Sequence, residues 1–333
     1  MARPLPPPPL RSALAVFVAL LALLLDAPAA RAQWPPDSLT NLQVLPADIG
    51  VGELTRLMAG FTRALGVRCS TCHLGEESQP LADYDFASDD KELKRKAREM
   101  LRMVEEINGR HLAGLPARSD PPVRVGCFTC HHGTRVPRTL QEELLIAYDE
   151  GGLEGLQARY AELREEYHGR AAYDFGDVAL ADVGADLQGR GALADAEAAH
   201  ALNVEQNPGE WFAQWRHFDV AVLRAFREGG PAAGVARYRE LKAVYDPQAV
   251  QELAVNQIGY ALLRGDKVAE AVALFELNVE AHPDSWNAHD SLGEGYARAG
   301  ERALARVSYQ RSLELNPDNE NARRRLADLA GSG

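Results

Sequence analysis

The sequence predicts an all-α protein in two parts: a first part with much loop, and a longer α-solenoid. Three observations carry this reading. All four Cys fall in two identical five-residue frames within one third of the chain. Apolar residues recur at helical spacing around those frames. The last two thirds turn to Ala, Leu, Glu and Arg and repeat with a period of 34 residues. The length of 333 residues suits about two domains. A hydrophobic share of 46% with 25% charged residues excludes a disordered chain. A net charge of −12 argues against a nucleic-acid binder, which carries a basic excess.

Residues 1–32 read as a secretory signal. Arg3 and Arg11 give a positive start, residues 13–25 are unbroken apolar, and Ala30-Arg31-Ala32 offers a cleavage site before Gln33. Thirteen apolar residues fall short of the ~20 that span a bilayer. The mature chain then has 33 basic and 47 acidic residues, with no transmembrane segment, and is expected in the periplasm.

Next comes a helix over residues 53–65. Leu54, Leu57, Met58, Phe61 and Leu65 form its apolar stripe, and Gly66 is its stop. The first frame follows as Cys69-Ser70-Thr71-Cys72-His73. A second helix is expected over residues 89–108, with Leu93, Ala97, Met100, Val104 and Ile107 as its stripe. Its Lys91, Lys94, Arg95, Lys96, Arg98 and Arg102 read mainly as a solvated face. The second frame is Cys127-Phe128-Thr129-Cys130-His131.

Each frame is C-x-x-C-H, the attachment motif of c-type haem. Two thiols one helical turn apart add across the two vinyl groups of a haem, and the adjacent His supplies the proximal imidazole. Disulfides and a four-thiolate zinc site are the competitors, and neither needs a His after the second Cys. The expected cofactors are therefore two covalently attached c-type haems, held by Cys69, Cys72, Cys127 and Cys130 and ligated by His73 and His131. His132 points away from the same iron and reads as a surface residue.

The mature chain has three Met, namely Met58, Met100 and Met103, and all precede the second frame. Thioether is the usual sixth ligand of low-spin cytochromes. Met58 is assigned to the first haem. For the second, Met100 ranks ahead of Met103, and His111 is the competitor.

Residues 41–139 resemble the cytochrome c subunit of photosynthetic reaction centres. The matching features are residues 41–46, the Met58 helix, Leu65-Gly66-Val67 before Cys69, Ala97 to Met100, Ile107-Asn108, and Cys127 to Gly133. The resemblance implies a Met-bearing helix ahead of most haem frames, which supports Met58 and a Met on the second helix. Full-length members look like two such halves with four haems, and this chain has one half and two frames. In that family one haem can take a His from the other half.

The remaining chain is expected to be a tetratricopeptide (TPR) solenoid. Ile258-Gly259, Ala271, Phe275 and Pro283 recur 34 residues later as Leu292-Gly293, Ala305, Tyr309 and Pro317. Val183-Gly184, Ala196 and Pro208 fit the same frame, and residues 211–247 hold a looser helix pair. Residues 319–329 read as a capping helix with Arg323, Arg324 and Arg325 on its wet side. The expected domains are the signal at 1–32, a dihaem cytochrome domain at 33–145 and the repeat domain at 146–333.

Together these elements predict a dihaem electron carrier rather than an enzyme. Its expected partners are a redox protein or membrane electron-transfer complex, and a protein or peptide on the repeat surface. A dihaem peroxidase and a scaffold for complex assembly are the alternatives.

Overall fold

A computed structural model describes residues 38–116 and 119–331. The expected signal at 1–32 and its cleavage site lie outside the described residues. The chain divides into two compact units that meet between Pro137 and Arg138. The repeat period places the break at 145/146. The structural marker is earlier: Thr139 accepts from the Glu142 N–H while the Glu142 carboxylate accepts from the Thr139 N–H at 2.7 Å, a capping box that starts a new helix.

Among its described residues the first unit holds four α-helical segments and a 3-10 turn over Leu81–Asp83. Helix α1 spans Val51–Leu65 and ends on Gly66, whose φ of 62° lets the Val67 N–H reach back to the Thr62 carbonyl. Helix α2 is the single turn Cys69–Cys72. Helix α3 spans Glu92–Glu106 and runs on as a π-turn over Ile107–Leu112, four residues beyond the expected stop at Asn108. Helix α4 is the short segment Cys127–His131. A lone bridge joins Leu74 to Asp85, and no strand occurs among the described residues. Among the described residues of this unit, Ala64 is the one buried apolar side chain.

The second unit is built of helix pairs. Helix α5, Leu140–Tyr167, breaks at Gly152 (φ 63°). Then come α6 (Asp177–Gly189), α7 (Leu193–Gln206), α8 (Trp211–Val244), α9 (Glu252–Arg264), α10 (Val268–Ala281), α11 (Trp286–Arg298), α12 (Arg302–Leu315) and α13 (Glu320–Gly331). Three pairs close in one register. A Cβ on Gly184, Gly259 or Gly293 would lie 2.4, 2.3 or 2.8 Å from the ring of His200, Phe275 or Tyr309, each 16 residues later. Only glycine lets the helices approach this closely.

Three residues past each ring, Asn203, Asn278 and Ser312 donate to the Asp177, Glu252 and Trp286 carbonyls at 2.7, 3.3 and 2.8 Å. This ties the second helix of each pair to the start of the first. Pair α8 departs from the register. It breaks at Gly230, just before Pro231, and its glycine is on the second arm, Gly234 against the Phe226 ring. On α13, Arg323 and Arg324 are exposed as expected, and Arg325, half-buried, also reaches Glu294 at 3.6 Å.

Candidate haem-binding site

The two cysteine frames are both helical turns, as thiols that must face one flat group require. All four thiols are free, so the disulfide reading finds no bond here. No three His, Cys, Asp or Glu among the described residues gather to hold a metal ion. Burial raises the pKa of Cys72, opposed by the Lys91 charge, and burial likewise raises that of Cys127. Both remain neutral thiols at pH 7.

The two histidines are held differently. His131 Nδ1 lies 3.0 Å from the Thr134 carbonyl. A carbonyl only accepts, so Nδ1 carries the proton and Nε2 keeps its lone pair for a metal. Thr134 is itself buried. Its hydroxyl donates to the His131 carbonyl at 2.8 Å or the Val136 carbonyl at 3.0 Å, and its N–H donates to the His131 carbonyl at 2.8 Å. His73 Nδ1 is buried with no hydrogen-bond partner, and its ring packs edge-on against Phe86 at 4.9 Å. Burial, then the Lys94 charge, lower the His73 pKa; the Phe86 backbone acts in the opposite sense, and Arg98 and Lys91 add to the lowering. His73 is therefore neutral at pH 7, the form that ligates. His132 is exposed, as expected.

The helices that carry methionine cross between the frames. Helix α1, ahead of the first frame in sequence, packs against α4 of the second. The Gly133 N–H donates to the Ala64 carbonyl at 2.9 Å, and a Cβ on Gly66 would sit 2.0 Å from the Gly133 carbonyl oxygen. Helix α3, ahead of the second frame, packs against α2 of the first, and Lys91 Nζ donates to the Ser70 carbonyl. Met58 is half-buried, whereas Met100 and Met103 are each 45% exposed. His111 sits exposed on the π-turn.

Two residues that sequence reasoning missed complete the arrangement. Thr134 fixes His131, as above. Asn108 is buried and grips the segment before the second frame. Its amide donates to the Val104 and Val125 carbonyls at 2.9 and 2.8 Å, and its oxygen accepts from the Val125 N–H at 2.8 Å. The basic face of α3 is split. Arg95, Lys96 and Arg102 are solvated, but Lys94 and Arg98 have side chains only 12% and 11% exposed. Both pair with Asp89, at 3.2 and 2.8 Å, and Lys94 also donates to the Phe86, Ala87 and Ser88 carbonyls. The Arg98 and then the Asn41 hydrogen bonds hold the Asp89 carboxyl far below the usual carboxylate range.

The donor set fits c-type haem: paired free thiols on one helical turn and a following imidazole, which is neutral at His73 and has its tautomer fixed by Thr134 at His131. Comparison with known proteins agrees on the class. Residues 20–149 match the family described as the photosynthetic reaction centre cytochrome C subunit, a haem-binding family, and this cytochrome-like region is followed by a tetratricopeptide-type region.

In the second region, 77 residues are 34% identical to the tetratricopeptide repeat domain-containing protein PYG7, chloroplastic, of Arabidopsis thaliana. The match covers 22% of this chain and 26% of that one. The chain thus spans about a quarter of that relative's length. Among solved structures, the tetratricopeptide protein YrrB is 16% identical with a TM-score of 0.30, covering 56% of this chain and 89% of its own. MamA of Desulfovibrio magneticus RS-1 is 14% identical with a TM-score of 0.31, covering 54% and 95%.

Proposed function

We propose that this chain is an exported dihaem c-type cytochrome that relays single electrons and docks to a redox partner through its repeat unit. The observation that carries this is the pair of helical C-x-x-C-H turns with all four thiols free, one with its histidine locked by Thr134. Cys69 and Cys72 would attach one haem under His73, and Cys127 and Cys130 the other under His131. Met58 is the preferred sixth ligand on α1, and Met100 on α3, with Met103 and His111 as competitors. A bound haem supplies a reversible one-electron couple. The chain keeps His73 neutral by burial, orients His131 through Thr134, and keeps Lys94 and Arg98 engaged with Asp89 beside the first frame. The signal-like residues 1–32 support a periplasmic location.

The scaffold reading draws on one observation: the repeat unit is much the better packed, with large apolar clusters of its own. Two measurements separate the readings. Purified protein matured with haem is expected to give the low-spin spectrum of a six-coordinate cytochrome and to exchange electrons with a native membrane fraction. Removal of residues 138–333 is expected to slow that exchange while leaving the spectrum intact. A high-spin spectrum contradicts the carrier reading and favours the dihaem peroxidase, which needs an open iron. Unchanged exchange after the truncation contradicts the docking role.

A further inference from the structure

Charge is divided between the units. Residues 38–137 hold 13 basic and 13 acidic side chains, while residues 138–333 hold 20 and 33, a net −13. Within the repeat unit the loops are divided again. Four consecutive loops lead from one helix pair to the next: residues 207–210, 245–251, 282–285 and 316–319. Each carries one exposed carboxylate, Glu210, Asp246, Asp284 or Asp318, and none carries Lys or Arg. The turns inside the pairs, residues 190–192, 265–267 and 299–301, lie at the other ends of the helices and are mixed, holding Arg190 and Lys267 with Asp266 and Glu301.

Helix dipoles do not produce this division. At either edge one helix ends where another begins, so dipoles would draw acids and bases equally to both. The acidic edge is also apolar. Trp211, Leu253 and Trp286, in the first turns of α8, α9 and α11, are 43%, 63% and 41% exposed. They lie along adjoining helix starts, since Asn287 Nδ2 donates to Glu252 Oε1 at 2.9 Å across neighbouring pairs. Trp211 stacks on Trp215 at 6.4 Å, which spreads the apolar patch. The cations that reach this edge come from helix flanks: Arg311 stands 4.0 Å from Asp284, Arg323 donates to the Pro317 carbonyl, and Arg216 covers the Trp215 ring.

We propose that this edge is the docking surface of the repeat unit and that its partner is a cationic protein segment with apolar side chains between its Lys and Arg residues. This rests on the docking role proposed above. The carboxylates supply long-range attraction and register, and the aromatic residues supply the desolvated anchors. The same field repels nucleic acid and anionic lipid.

The test uses the full haem-loaded chain and three labelled synthetic peptides of equal length: lysine–leucine, lysine–serine and glutamate–leucine. The lysine–leucine peptide is expected to bind tightest and to weaken as salt is added. The triple variant Glu210→Gln, Asp284→Asn, Asp318→Asn weakens it about tenfold. Glu150→Gln, Glu165→Gln, Glu301→Gln removes the same charge from other exposed positions, and weakens it less than about twofold. Trp211→Ser with Trp286→Ser brings lysine–leucine down to the lysine–serine level. Equal losses in the two charge triples, or equal binding of glutamate–leucine, overturns the proposal. The docking role itself fails separately, if electron exchange survives removal of residues 138–333 whichever peptide binds.

Discussion

In the repeat unit Phe218, Phe226, Phe275 and Tyr309 are fully enclosed by protein, while in the first unit Ala64 is the one buried apolar residue among those described. The first unit is not poor in apolar residues. Met58, Phe61 and Leu65 on α1, and Leu93, Met100 and Val104 on α3, lie on faces that protein only half covers. Its polar groups, by contrast, are tightly placed: Asn108, Thr134, Lys94 and Arg98 each make two or more contacts with the backbone or with Asp89. A repeat unit orders itself by filling space with side chains. The first unit orders its backbone by polar clamps and leaves these apolar faces half covered. The same chain therefore carries two kinds of stability, and each is open to a different perturbation.

The largest expected effect is in the repeat core. Phe275→Ala removes the ring that seats on Gly259 and costs roughly 3–5 kcal/mol; thermal unfolding followed by circular dichroism reads the loss. Haem absorbance is expected to be unchanged, so a changed spectrum would show that the units are not independent in this respect. The pH dependence of the repeat unit follows from His200 and His217. Burial lowers them to about 3 and about 4; the charges of Arg216 and His217 push His200 the same way, and Glu197 partly opposes burial at His217. Both are neutral when folded and gain a proton more readily when unfolded. Stability from this source is therefore complete above about pH 6.5 and falls as pH drops toward 4, by about 3 kcal/mol for His217. Urea unfolding midpoints at pH 7.5 and 5 measure it, and a flat profile contradicts it.

Asn108→Ala strands both polar groups of Val125 and costs about 1–3 kcal/mol. The cost falls on the first unit. A shift in one of two reduction potentials, with the other unmoved, is the expected signature in a redox titration. His200→Phe works in the opposite direction. His200 is fully buried with neither ring nitrogen bonded, and it occupies the place that Phe275 and Tyr309 fill in the other pairs. Replacement is expected to stabilise by about 1–2 kcal/mol and to reduce the acid sensitivity. The smallest effect is Lys96→Ala. Its pair with Glu92 is solvated at 2.8 Å, so chemical denaturation is expected to show no resolvable loss, against a clear loss for the enclosed Lys94.

Local signals made much of this legible. The C-x-x-C-H frames are contiguous, and a 34-residue period survives because Gly259 and Gly293 must admit the same ring. Helix α1 was placed to within two residues by its stripe and Gly66. What escaped depends on tertiary placement. Asn108 and Thr134 are single polar residues whose partners lie 17 and three residues away, and nothing in their spacing marks the grip. The burial of Lys94 and Arg98 follows from Asp89 folding back over the first turn of α3, which a charge count cannot show. The crossing of α1 to the second frame rests on Gly66 against Gly133, a contact between residues 67 apart. The repeat period puts the unit boundary near residue 145, and the capping box at Thr139 and Glu142 is the nearer local mark of the division at Pro137 and Arg138.

The central claim is that the two frames hold haem covalently. Intact-mass measurement of the denatured, exported protein tests it most directly. The expected mass is that of the chain plus two haems, falling to one haem in Cys69→Ser, Cys72→Ser and to one haem in Cys127→Ser, Cys130→Ser. A chain mass with no haem, or with two hydrogens lost per cysteine pair as in disulfides, would contradict it.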